Sequence, residues 1–102
     1  MKKVLVTGGS GFVGRRLALL KPDWTYVSSA DYSLDSYKDT QLMYRDIRPD
    51  AVIHLASVVG GIRANKNNPT VFFEKNILIN LNVVRGAFES NTKRVLASLS
   101  TC

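Results

Sequence analysis

Residues 3–14 read KVLVTGGSGFVG: a short apolar, β-branched run, Lys3–Thr7, runs straight into Gly8-x-x-Gly11-x-x-Gly14. The same stretch satisfies Gly9-x-Gly11-x-x-Gly14. Glycines at a junction between a strand and a helix have three physical uses. One permits a tight turn, one lets a pyrophosphate come against the backbone, and one lets helix and strand pack closely. The unpaired N–H groups and the positive end of a helix opening near Phe12 then suit a diphosphate. A Walker-type loop is excluded, because no Gly-Lys-Ser/Thr follows.

Outward from that junction the chain alternates. Besides Lys3–Thr7, the runs Thr25–Ser29 (TYVSS), Ala51–Ala56 (AVIHLA) and Arg94–Ser100 (RVLASLS) are rich in β-branched and apolar residues. The first, third and fourth are nearly continuous, as strands buried on both faces are. Helices are predicted over Phe12–Leu20, which stops before Lys21-Pro22, and over Ser36–Ile47, which stops before Arg48-Pro49 where proline forbids continuation. The longest, from about Pro69 to Ser90, starts with proline in its first turn and carries the stripe Phe73, Ile77, Leu81, Val84, Phe88 along one face. Such alternation builds a parallel sheet with right-handed crossovers. The expected fold is α/β: a Rossmann-type doubly wound parallel sheet, truncated to about four strands in the order 3-2-1-4. The helices after strands one and two are expected on one face and the long third helix on the other. Strand four is then an open edge, with Val95, Leu96 and Leu99 partly covered, and the chain is expected to be marginally stable and prone to associate.

The bulk numbers agree with a modest single unit. The chain has 102 residues, 45% apolar and 22% charged, ordinary values for a globular protein. Its single cysteine, Cys102, rules out a disulfide framework and points to a reducing, cytoplasmic setting. Val4-Leu5-Val6 is too short for a signal-peptide core, and no window supplies the ~18 apolar residues of a membrane span. The net charge of +6 could draw polyanions, but the basic residues are scattered without interleaved aromatics, so it reads as solvated surface charge, not a nucleic-acid or membrane site. No metal cluster is expected.

The end of the second strand bears on the choice of dinucleotide. A carboxylate there would take the ribose hydroxyls of NAD and repel a 2′-phosphate. Ser28 and Ser29 lean toward NADP, with Arg15 or a nearby lysine as counter-ion, while Asp31, two positions on, leaves NAD open. His54, alone of its type, lies inside an apolar strand and reads as a hydrogen-bonded core histidine. Asn76, Asn80 and Asn82 are poor helix formers; they either tether loops around a cofactor or form a partly solvated face.

TGGSGFVG, VIHLAS and SLSTC together resemble the extended short-chain dehydrogenase/reductase superfamily. Within it, VIHLASVVGGIRANKNNP, FFEKNILINLNVVRGAFE and LSTC are similar to the GDP-L-fucose synthases, which use NADPH to epimerise and reduce GDP-4-keto-6-deoxy-D-mannose. The resemblance covers essentially the whole chain and implies that residues 1–102 are the N-terminal part of an NAD(P)-binding Rossmann domain, without the substrate domain. It implies cofactor contacts from Gly8, Gly9, Ser10, Gly11, Phe12, Val13 and Gly14, from Ser29, and from Ala56, Ser57 and Val58. It places a catalytic serine at Ser100 and the epimerisation base at Cys102. It implies NADP(H) as cofactor, a GDP-sugar as substrate, and homodimers for complete members. The superfamily's Tyr-x-x-x-Lys has no counterpart: the four tyrosines are followed four places on by Ala30, Ser36, Gln41 and Arg48. The chain alone is therefore expected to be inactive. Two alternatives stand beside this reading: another sugar-nucleotide epimerase or dehydratase, or a non-catalytic dinucleotide-binding fragment.

Overall fold

The structure, a computed structural model, describes residues 3–55 and 69–97, with the backbone alone for 69–73 and Ala97. Four strands form one parallel sheet: β1 Val4–Thr7, β2 Thr25–Val27, β3 Ala51–His54 and β4 Arg94–Ala97. Among the described residues three helices lie between them: α1 Phe12–Leu20, α2 Tyr37–Ile47 and α3 Pro69–Glu89. Ser36 caps α2, its hydroxyl accepting from the Asp39 amide, and Arg48 ends it in the left-handed region at φ 51°. That conformation turns the chain into Pro49, which cannot continue a helix.

The alternation and the parallel sheet are as the sequence implies, but the strand order is β2-β1-β3-β4 and not 3-2-1-4. The reason is burial. An order of 3-2-1-4 would put AVIH at an edge and the polar TYVSS segment inside. Instead β1 and β3, with Leu5, Val6 and Val52 essentially inaccessible, take the centre, and the three-residue β2 takes an edge. β4 is the other edge, where Val95 and Leu96 are exposed; Leu99 lies outside the described residues.

The strand order also fixes the helices. The chain moves one way from β1 to β2, then back across β1 to β3 and on to β4. With right-handed crossovers, reversal of direction switches faces. So α2 and α3 share a face, and α1 lies on the other, which corrects the expected pairing of the first two helices. The shared face carries the core: Leu5, Val27 and Val52 from the sheet, Met43 and Tyr44 from α2, Ile79, Val83 and Ala87 from α3. The two helices meet at Gly86, where a Cβ would lie 2.5 Å from Tyr44 Cε2, and the Tyr44 hydroxyl donates to the Val83 carbonyl at 2.7 Å.

The expected apolar stripe of α3 has the right period and the wrong face. Ile77, Leu81, Val84 and Phe88 are exposed, Phe88 by 84%, while Phe73 falls outside the described side chains. The buried stripe is Ile79, Asn82, Val83, Gly86 and Ala87. The close approach to α2 is made at Gly86, where the Tyr44 ring leaves no room for a side chain, and this sets which face of α3 turns inward.

Candidate dinucleotide site

The carboxyl ends of β1, β2 and β3 meet where the strand order reverses, the place at which open α/β sheets bind ligands. Gly8 leaves β1 at φ 74°, a conformation that a side chain disfavours. Gly9 lies flush on β2: its amide donates to Val27 O at 2.8 Å, and a Cβ would meet Tyr26 Cβ at 2.8 Å. Gly14, buried one turn into α1, has even less room. A Cβ there would strike the Gly8 carbonyl and sit 2.8 Å from Gly9 Cα. Strand, loop and helix therefore close on one another as the spacing by threes predicts.

Between them, Ser10 and Gly11 are exposed, and Phe12 and Val13 open the helix with their side chains out, 75% and 58% exposed. Gly11 is the N-cap, offers no side-chain cap, and no acidic residue occupies the first turn. The first-turn amides have no carbonyl one turn back. The result is an exposed run of backbone donors at the positive end of a helix, a fit for a diphosphate and a poor fit for a cation.

Beside Gly8 opens a cavity of about 240 Å³, walled by Val27, Ser28, Ser29, Tyr32 and Leu34 on one side and by Lys75 and Ile79 of α3 on the other. Ser29, one of the expected cofactor contacts, is among the lining residues. Asp31 does not: its Oδ2 accepts from the Ser28 amide at 2.8 Å and from the Ser28 hydroxyl at 3.3 Å, and it borders a separate groove with Tyr26, Tyr32 and Asp46. The carboxylate that left NAD open is thus spent on the local turn. A larger cleft of about 420 Å³ lies at the amino ends of β3 and β4, but there Arg45 and Arg48 stand with Asp50 and Glu89, at the edge away from the glycine loop.

His54 is buried under the site. Its Nε2 lies 2.8 Å from Asn80 Oδ1 and its Nδ1 2.6 Å from Thr7 Oγ1. A carbonyl oxygen only accepts, so Nε2 carries the proton and Nδ1 accepts from the threonine hydroxyl, which in turn accepts from the Leu55 amide at 3.2 Å. Burial holds the imidazole below its usual pKa, the Asn80 bond opposing this in part. The reading of His54 as a hydrogen-bonded core residue holds. Leu34, Lys75 and Ile79 are cavity residues that the sequence reading missed; the only hint was the run of asparagines on α3, of which Asn82 donates to Leu34 O at 2.9 Å. Ala56, Ser57, Val58, Ser100 and Cys102 lie outside the described residues.

The family model described as the NAD dependent epimerase/dehydratase family matches residues 4–102. The chain belongs to this family. Among curated relatives of this chain, a probable GDP-L-fucose synthase of Drosophila melanogaster is 43% identical over the whole chain, and a GDP-L-fucose synthase of Dictyostelium discoideum is 38% identical over 99% of it. Each match takes in 34% of the relative, so the chain spans about a third of their length. A crystal structure of a GDP-L-fucose synthetase from Naegleria fowleri bound to NADP superposes with a TM-score of 0.85 at 30% identity, covering 99% of this chain and 32% of that one. No helix among the described residues is long and apolar enough to cross a membrane.

Proposed function

We propose that this chain is the N-terminal, cofactor-binding part of an NADPH-dependent GDP-L-fucose synthase, an oxidoreductase and epimerase that converts GDP-4-keto-6-deoxy-D-mannose to GDP-L-fucose. The observation that carries this is the glycine cradle: Gly14 and Gly9 leave no space for a Cβ, and the uncapped start of α1 packs against Gly8, which borders the cavity. Gly8, Gly9, Ser10, Gly11, Phe12, Val13 and Gly14 hold the diphosphate through backbone donors, and Ser29 borders one end of the dinucleotide. Ala56, Ser57 and Val58 complete the cofactor contacts. Two features favour NADP(H) over NAD: Asp31 is turned away, and Lys75 lines the cavity. The bound nicotinamide supplies the hydride.

Ser100 is assigned the hydrogen bond to the sugar C4 carbonyl, and Cys102 removal of protons beside it, a pairing that carbon acidity next to a ketone requires. Residues 1–102 hold no Tyr-x-x-x-Lys, so this chain alone does not turn over. The reaction's nucleotide sugar and NADPH are intracellular metabolites, which fits a cytoplasmic protein. The exposed stripe Ile77, Leu81, Val84 and Phe88 on α3 fits a homodimer contact.

Calorimetric titration tests the reading. NADP⁺ is expected to bind more tightly than NAD⁺, with no consumption of NADPH when the keto-sugar is added. Tighter binding of NAD⁺, or no binding of either, would overturn it.

A further inference from the structure

The cavity has three walls that are far apart in the chain: the glycine loop at Gly8, the segment from Ser28 to Asp35, and α3. Polar ties run from α3 to both of the others. Asn80 reaches His54, and His54 reaches Thr7, the residue directly before Gly8. Asn82, only 4% exposed, donates to the Leu34 carbonyl at 2.9 Å. A third tie, Lys75 to Asp35 at 3.9 Å, lies in solvent and counts for little.

On the NADP(H)-binding reading above, we infer that α3 is the strut that holds the cofactor cavity open at its binding width, with Thr7, His54, Asn80 and Asn82 as positioning residues. Packing alone does not call for these side chains. Asparagine is a poor helix former, and burying its amide is unfavourable unless it is paired. Both asparagines end, directly or through His54, on segments that line the cavity. Their neighbours Ile79, Val83 and Ala87 supply the apolar contact with the core. The chain of bonds is directional as well: Thr7 donates to Nδ1 and Nε2–H donates to Asn80, so each group has one role and the loop has one resting position. A cavity fixed in advance spares the ligand the cost of ordering it.

The test is NADP⁺ affinity read beside melting temperature. Thr7→Val and Asn82→Leu each weaken NADP⁺ binding about tenfold, while Thr7→Ser, which keeps the hydroxyl, restores affinity to near the unsubstituted level. Ile47→Val, half-buried at the end of α2 and packed against the core, lowers the melting temperature and leaves affinity unchanged. Wild-type affinity in Thr7→Val and Asn82→Leu, or equal loss in Ile47→Val, overturns the strut. Should Thr7→Val fail to fold, Asn80→Leu on the half-buried side of α3 takes its place with the same expected loss. If the unsubstituted chain takes up no NADP⁺, the cofactor reading is what fails, and hydrogen exchange then decides the strut without ligand. The Gly9 amide, bonded to Val27 O, should exchange faster in the Thr7 or Asn80 variant while the Thr40 amide of α2, bonded to Ser36 O, does not. Unchanged exchange at Gly9, or equal acceleration at both, overturns it.

Discussion

Gly14 and His54 show how much a single position can decide. At Gly14 the missing Cβ is space occupied by the Gly8 carbonyl and Gly9. Gly14→Ala should therefore push the helix off the loop, costing about 1–3 kcal/mol as overpacking does, and abolish dinucleotide binding; denaturant melts and titration check both. His54 makes a prediction about pH. Its folded pKa lies below the ordinary 6.5, so the unfolded chain binds the proton more readily. Stability is then full above about 6.5 and falls as pH drops through that value toward the lower folded pKa, by at most about 1.4 kcal/mol per pH unit. Denaturant melts between pH 7.5 and pH 5 should show this slope, and His54→Gln should remove it. The glycines were legible because their spacing carries the mechanism. The bonds of His54 were not, since Thr7 and Asn80 are brought to it by two different crossovers.

At the scale of elements, helix ends were legible and helix faces were not. Proline after Lys21 and after Arg48, and Ser36 with Asp39 three places on, mark boundaries through local chemistry. Ser36→Ala should cost about 1 kcal/mol. By contrast, Gly86→Ala should cost about 1–3 kcal/mol although alanine favours helix, because its methyl meets the Tyr44 ring and parts α2 from α3. Thermal melts of the two variants separate a cap from a helix contact. Hydrophobic periodicity located the α3 face to within a helix but chose Ile77, Leu81, Val84 and Phe88, because size alone cannot tell a stripe that packs on the sheet from one turned to solvent.

For the whole molecule, apolar surface remains on both layers. Leu19 and Leu20 of α1 are 79% and 76% exposed, Leu96 on the edge strand 65%, and the α3 stripe is open along its length. Patches of this kind drive association. Leu81→Glu with Phe88→Glu should shift the chain toward monomer in sedimentation velocity without lowering its melting temperature, since neither side chain is in the core. Unchanged association would place the contact on the β4 edge or the α1 face instead.

Read alone, the sequence settled the α/β alternation, the strand-to-helix glycine turn and the positions where helices stop, because each depends on residues within a few places of one another. It also carried the family resemblance. The tertiary structure decided the order β2-β1-β3-β4, the shared face of α2 and α3, the turning of Asp31 into its own loop, and the ties from α3 to both cavity walls. These depend on which apolar strand gains most by sitting in the centre, a competition between distant segments that no local pattern records.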